Sequence, residues 1–352
     1  MKKITVLLTA VGCPGGPSII QGLRQDDRLR IVGVDMNPDP PGKYLVDAFY
    51  PVPPGRDKSY IPRMLEIVEQ ESARLVLPLA TFELQNLAAN QHSFVKRGCI
   101  VCVSDPEPLE IANNRYLLFS RFSNEDFVPG FRAPKNLQQM KRHMGELGFP
   151  QNKVVIKPFI SHGSIGLRIV DPNLDTFSIY RNQKPSAIFT NMRAIEEIFA
   201  DQSFSDILVS EFLPGKEYGI DLLLDPNTHK VITGVVRDNG EVHLSAISSG
   251  RIIKHDAMYA LGVQIAESLG LSYAINIDIK LDRDGRPKLM EINPRLPATS
   301  FLAFSAGLNL PLLSVKLGLG EEFPLPKPLS DVRIYLYRGF LTIHNNRPKD
   351  RC

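Results

Sequence analysis

Charge of one sign is scarce in this 352-residue sequence, where 41 Lys and Arg face 38 Asp and Glu for a formal net charge of +3. So small an excess argues against a nucleic-acid or anionic-membrane partner, and any bound anion must be held by a local group of residues. Cysteine is sparse too, with four in all. The CxxC spacing of Cys99 and Cys102 has no second pair or nearby histidines to complete a zinc site. It falls within the apolar run GCIVCVS, which reads as a buried strand. No run of about 18 apolar residues exists, which excludes a spanning helix. Lys2 and Lys3 ahead of ITVLLTAVGC mimic a short export signal, but the strand and helix alternation that follows makes the stretch a first strand entering a glycine turn. The expectation is a cytoplasmic protein with neither membrane nor nucleic acid as partner. A composition 43% hydrophobic and 22% charged is that of a globular chain, long enough for two or three packed units.

From residue 4 to 104, short apolar runs (ITVLLTA, RIVGVD, RLVLPL, CIVCVS) alternate with helical stretches at 17–23, 60–71 and 83–95. This alternation predicts parallel strands with crossover helices, an α/β unit built as a doubly wound sheet. Helices are expected next at 115–122 and 137–147. After Gln151 the runs KVVIKPF, GLRIV, DILVSEF, YGIDLLL, KVITGVV and EVHLSAI follow one another across turns, which predicts antiparallel pairing and an α+β region. A helix at 256–269 precedes a last hairpin. The charged end NNRPKDRC is expected to be mobile.

That last hairpin, YAINIDIKLDRDGRPKLMEINPR, is the most informative segment. If Asp284 and Gly285 form a two-residue turn, Asp278 lies opposite Glu291 and Asn276 opposite Asn293. Ile277 then pairs with Ile292, and Ile279 with Met290, on the apolar face. Two carboxylates directly opposite on neighbouring strands repel, and a divalent cation removes the penalty. Asp, Glu and Asn oxygens suit Mg²⁺, which keeps waters and nucleotide phosphate oxygens in its shell. Arg295, two residues beyond Asn293, is placed to hold a phosphate that the same ion touches.

Two further segments carry chemistry. In KVVIKPFISHGSIGLRIV a strand ends at Lys157 and a loop with Gly163, Ser164 and Gly166 leads to a second strand. This differs from a P-loop, yet its backbone N–H groups can fold over phosphates beside the lysine. In SEFLPGKEYGIDLLL, the linker Glu211, Phe212 and Leu213 can read an adenine edge, and Glu217 can accept ribose hydroxyls.

In this order the segments resemble the ATP-grasp superfamily, in the branch of the carbamoyl-phosphate synthetase large subunit and related carboxylate-amine ligases. AVGCPGG and VGVD resemble its Rossmann-like first domain, NNRYLLFSRF the opening helix, VVIKPFISHGSIGL the basic residue and glycine loop, and INIDIK with MEINPR the metal-binding pair. The resemblance implies a Rossmann-like domain over 1–112 and a two-lobed ATP-grasp fold over 113–325. Its lid would span about 135–210, its body about 211–325, and a C-terminal segment 326–352 would follow. It implies ATP with Mg²⁺, or Mn²⁺ in its place, as cofactors. Asp278, Glu291 and Asn293 would hold the metal, and Lys157 and Arg115 the phosphates. Glu211, Phe212 and Leu213 would meet the adenine, Glu217 the ribose, and Arg295 the transferred phosphoryl group. Arg237, His243 and Arg251 lie where the acceptor carboxylate binds in similar enzymes.

The implied activity is phosphoryl activation of a carboxylate followed by attack of an amine, with small-molecule substrates and a homodimer as the expected assembly. Related enzymes often carry an arginine, a glycine and a second arginine where this sequence has Phe159, Ser161 and Ile165, so the lid offers fewer cations. Two other readings remain: a carbamoyl-phosphate synthetase-like enzyme making carboxyphosphate or carbamoyl phosphate, and an ATP-binding regulatory module without catalysis.

Overall fold

The N-terminal apolar runs assemble into a parallel sheet of β1 (Ile4–Leu8), β2 (Leu29–Asp35), β3 (Ala48–Pro51), β4 (Leu75–Leu77) and β5 (Ile100–Val101). The computed structural model describes residues 3–161, 163–182, 188–240, 242–243, 246–247, 249–335, 341–344 and 347–348. Strand order is β3-β2-β1-β4-β5, so successive connections leave β1 in opposite directions and open a crevice at the carboxyl ends of β1 and β4. Helices α1 (Gly16–Leu23), α2 (Tyr60–Glu71), α3 (Leu84–Ala89) and α4 (Gln91–Val95) cover the sheet. The single helix expected over 83–95 is two, broken at Asn90, whose φ of −113° leaves the helical range. β3 was not anticipated; its AFYP run is too short to show a period.

The chain then enters α5 (Pro106–Asn113) and α6 (Arg115–Arg121). The Asn114 side chain caps α6 by accepting the Tyr116 and Leu117 N–H groups at 3.0 and 3.2 Å, which fixes Arg115 as the first helical residue. A second sheet contains β6 (Phe131–Arg132), β7 (Val154–Pro158), β8 (Arg168–Val170), β9 (Phe189–Thr190) and β10 (Ile207–Glu211), in the order β6-β10-β7-β8-β9. α7 (Leu137–Glu146), α8 (Thr176–Asn182) and α9 (Met192–Phe199) accompany it. Met140, Met144, Ile156 and Ile195 form part of its own small core.

The third sheet holds β11 (Glu217–Leu224), β12 (Val231–Asp238), β15 (Ser249–Ile253), β16 (Tyr273–Leu281), β17 (Pro287–Asn293) and β18 (Val332–Tyr335), in the order β17-β16-β11-β12-β15-β18. The EVHLSAI run is not one strand but a minimal pair, β13 (Val242–His243) with β14 (Ala246–Ile247). A similar pair, β19 (Ile343–His344) and β20 (Arg347–Pro348), lies near the end, and most of NNRPKDRC falls outside the described residues. α10 (Asp256–Leu269) covers one face of the large sheet. On the other, α11 (Ser300–Ser305) and α12 (Leu310–Gly318) pack with α1, so that Leu223, Ala274 and Leu302 share one core with Val6, Leu8 and Leu75 of the first sheet.

The last hairpin departs from the expected geometry twice. Leu281 pairs with Pro287 and the Asp282 N–H bonds the Arg286 carbonyl, so the loop has three residues and ends on Gly285 at φ +78°. A bulge then leaves Met290 unpaired: Ile279 faces Leu289, not Met290. The two shifts cancel, and Asp278 lies opposite Glu291 and Asn276 opposite Asn293.

Candidate active site

Period-2 alternation puts Asn276, Asp278, Glu291 and Asn293 on one face of the β16–β17 hairpin, and β11 adds its own polar row to that face. Gly219 pairs with Asp278, Asp221 with Asn276, and Glu217 with Lys280. These side chains floor a cleft of about 2410 Å³ whose walls come from all three sheets. Lys157, Gly163, Ser164, Glu211, Phe212, Leu213, Glu217, Arg115 and Arg295 all line it. Gly163, Ser164 and Gly166 have positive φ of 56°, 60° and 79°, so the glycine loop turns sharply above Lys157.

The charges are arranged in two tiers. In the upper one, Arg115 ion-pairs Glu291 through Nε (3.0 Å) and its terminal nitrogen, and also donates to the Pro158 carbonyl (3.2 Å) and Ser161 Oγ (3.1 Å). Burial alone would push Glu291 up, but Arg115 and Lys157 bring it below the usual carboxylate range. Lys157 itself is driven down to about 7, first by burial and then by Arg115. It rests 5.5 Å from the Phe119 ring centre. Phe159 and Ser161, two of the three positions where the glycine-loop segment departs from the expected pattern, are both engaged: Phe159 stacks on Tyr116 at 4.9 Å, and Ser161 accepts a hydrogen bond from Arg115.

In the lower tier Arg237 is 2% exposed and Asp221 fully buried. The guanidinium lies 3.2 Å from Asp221 and 3.6 Å from Asp278, and it also bonds Asn239. Asn239 in turn donates to Glu217 (3.1 Å), whose other oxygen is 3.6 Å from Lys280. Gly219 leaves the space this guanidinium fills, since a β-carbon there would overlap it. Burial pushes Asp278 up to about 8, and Arg237 opposes that shift while Glu291, Glu217 and Asp221 reinforce it.

This donor set fits a hard divalent cation. Asp278 and Glu291 face one another, and the neutral Asn293 amide nitrogen donates toward the side-chain oxygens of Asn276 (3.0 Å), Asp278 (3.3 Å) and Glu291 (3.5 Å). Among the described residues no three His, Cys, Asp or Glu side chains gather as a metal site. An ion on this pair would therefore complete its shell with water and nucleotide oxygens, as Mg²⁺ does.

The candidate substrate contacts do not converge. Arg237 supports Asp278 from below and offers little surface to a ligand. Arg251 ion-pairs Asp331 at the far edge of the sheet and does not line the cleft. The His243 side chain lies outside the described residues. Arg295 does reach the cleft, where its guanidinium donates to Thr81 Oγ1 at 3.3 Å and to the Leu296 carbonyl at 3.0 Å. Thr81 belongs to a loop held by Glu83, which is buried and accepts from Thr9, Tyr60 (2.7 Å) and the Leu79 and Ala80 N–H groups (3.1 and 2.9 Å). Asp221, Asn239, Thr81 and Glu83 were not anticipated. The first had a signal, an acid within the otherwise apolar IDLLL run and in phase with Glu217.

A glycine loop, an acidic hairpin and the Glu211–Leu213 linker around one cleft agree with an ATP-grasp domain, a class of ATP-dependent ligases. Residues 203–337 match the family described as ATP-grasp in the biosynthetic pathway with Ter operon, and residues 6–102 match the PylC-like N-terminal domain. Along the chain the PylC-like N-terminal domain comes first and the ATP-grasp domain second. No curated protein matches the sequence. Among solved structures, N5-carboxyaminoimidazole synthetase from Staphylococcus aureus, complexed with ADP, is 13% identical with a TM-score of 0.69, covering 98% of this chain and 84% of that one. The biotin carboxylase domain dimer of Hydrogenobacter thermophilus 2-oxoglutarate carboxylase, in complex with MgADP, ADP and bicarbonate, is 15% identical (TM-score 0.65, 92% and 71% covered). L-amino acid ligase from Bacillus licheniformis is 16% identical (TM-score 0.63, 94% and 76% covered). At these identities the likeness is one of fold. No helix among the described residues is long and apolar enough to cross a membrane.

Proposed function

We propose that this chain is a Mg-ATP-dependent carboxylate-amine ligase that acts through an acyl phosphate. The observation that supports it most is the opposed pair of Asp278 and Glu291 in a cleft that also receives Lys157, Arg115 and Arg295 and continues to the strand ends of the first sheet. Nucleotide would lie between the glycine loop and the acidic hairpin, with Glu211, Phe212 and Leu213 at the adenine and Glu217 at the ribose. The second substrate would lie between Arg295 and the first sheet. Domains at 1–112 and 113–325, with a C-terminal segment after 325, belong to this reading, as do a cytoplasmic site of action and a homodimer.

A carboxylate oxygen attacks the γ-phosphorus, the bond to the β-phosphate bridging oxygen breaks, and ADP leaves. The amine then attacks the acyl carbon, phosphate departs with the bonding electrons, and the ammonium proton is released. Bound Mg²⁺ supplies charge neutralisation on the phosphates. Lys157 and Arg295 hold the oxygens that gain charge, and orientation supplies the rest, so no protein nucleophile is required. Arg237, through Asp278, keeps the acidic floor rigid.

A second reading takes bicarbonate as the carboxylate and yields carboxyphosphate; its support is the bicarbonate in the biotin carboxylase complex. Incubating the protein with ATP, Mg²⁺ and pooled carboxylates and amines, with mass spectrometry of products, tests both. A condensed product that needs both pools supports the ligase, release with bicarbonate alone supports the second reading, and tight ATP binding without any release favours a regulatory module.

A further inference from the structure

The half of the cleft beyond Arg295 is bounded by the carboxyl ends of β1, β2 and β4 and by the loop before α2. Its acidic groups are already engaged. Asp35 accepts the Gly12 and Asn37 N–H groups at 2.8 and 2.9 Å, and Asp39 takes Lys43 and Tyr44 at 3.0 and 2.8 Å. Glu83 has its four donors. Two guanidinium groups on these walls have no carboxylate partner among the described residues. One is Arg295. The other is Arg56, which lies 3.9 Å over the Phe82 ring and makes no other polar contact there.

The backbone just before Arg56 is held from two sides. The preceding carbonyl, that of Gly55, accepts from the Asn86 side chain at 3.1 Å. The Gly55 α-carbon sits so near Glu83 that a β-carbon would come within 2.6 Å of the Glu83 β-carbon. The loop is thus fastened to the segment that carries Phe82. Cation–π attraction to the ring uses none of the guanidinium's N–H donors, which stay available to a carboxylate or phosphate, and Arg56 is exposed and lines the cleft. Thr81, which positions Arg295, and Phe82, which positions Arg56, are consecutive residues.

We infer that Arg56 is a specificity-determining residue, the anchor for a second anionic group, carboxylate or phosphate, on the substrate whose reacting end lies at Arg295. This rests on the ligase reading for which molecule occupies that half of the cleft. The substrate class is therefore a small molecule with two anionic ends, such as a dicarboxylate, an acidic amino acid or a phosphorylated carboxylate, and not a neutral-ended monocarboxylate.

Arginine-directed labelling with phenylglyoxal, read by mass spectrometry of the Arg56 peptide, tests this without any turnover. The full chain with MgADP is labelled in the presence of glutarate, inorganic phosphate or the neutral diamide glutaramide. The expected result is that glutarate or phosphate slows Arg56 labelling by about tenfold, as a charge-assisted bidentate pair should, while glutaramide does not. Which anion protects decides between a carboxylate and a phosphate end. Calorimetry should show the protecting anion bound at least about tenfold more weakly by Arg56→Ala, with Arg56→Lys intermediate. Equal labelling with all three additives, or unchanged anion affinity in Arg56→Ala, would overturn the assignment. MgADP affinity, measured on the same wild-type sample, bears separately on the ligase reading: its absence would undo that reading and leave the Arg56 result interpretable as anion binding.

Discussion

Asp221 and Arg237 form an ion pair almost without exposure, 3.2 Å apart, and the same guanidinium reaches to 3.6 Å from Asp278. The acidic floor of the cleft therefore rests on a buried ion pair whose cation, Arg237, comes from β12 and whose anion, Asp221, comes from β11. Removing one member of such a pair leaves an uncompensated buried charge, at a cost of about 3–5 kcal/mol. Arg237→Ala should lower the urea midpoint accordingly, and Asp221→Asn combined with Arg237→Gln should recover part of the loss. A midpoint within experimental error of wild type for Arg237→Ala would mean the pair does not support the sheet.

Gly219 offers a milder probe of the same support. A β-carbon there overlaps the Arg237 guanidinium, so Gly219→Ala must displace it, with overpacking costing about 1–3 kcal/mol. Turnover should fall through misplacement of Asp278 while nucleotide affinity changes less. A fully active, equally stable Gly219→Ala protein would contradict the packing described.

Lys157, lowered to about 7 by burial and by Arg115, gives a pH dependence with a definite sign. Phosphate is held by the protonated amine, and that form declines in the free protein as pH rises through 7. Nucleotide affinity should weaken between pH 7 and 9, by up to about tenfold per pH unit for one linked proton. Lys157→Met should flatten the profile. Affinity that rises with pH, or a wild-type profile as flat as that of the variant, would exclude this lysine as a phosphate ligand.

Cys99 and Cys102 should not behave as a redox or metal pair. Their side chains belong to different cores on opposite sides of β5, and burial pushes the Cys99 thiol up to about 12. Thiolate is the reactive form, so iodoacetamide at pH 8 should leave both unmodified in the folded protein and label them once it is unfolded in urea. Labelling at equal rates in both states would show the strand to be open.

The parts legible in the sequence were those with a local period. The first sheet's buried runs, the helices at 60–71 and 256–269, and the facing of Asp278 and Glu291 all follow from alternation over a few residues. That facing was reached by two errors that cancel: Asp-Gly fits a three-residue loop as well as a two-residue one, and nothing in KLMEIN marks Met290 as a bulge. α9 was not anticipated, although Asn191 caps it by accepting the Ala194 N–H. Contacts between distant segments left no local trace. Arg115 and Glu291 are 176 residues apart, and Arg237 could be placed near the site from its strand but not assigned to its underside, which depends on Gly219 and Asp221 of the facing strand.

The central claim is that Asp278 and Glu291 jointly place a divalent cation for ATP chemistry. Its most direct test is Mg²⁺-dependent phosphate release from ATP, with pooled carboxylates and amines, by wild type, Asp278→Asn and Glu291→Ala, each checked for folding by circular dichroism. Both variants should remain folded and lose turnover by about a hundredfold or more, as loss of metal-assisted charge stabilisation implies. Wild-type rates in either folded variant would contradict it.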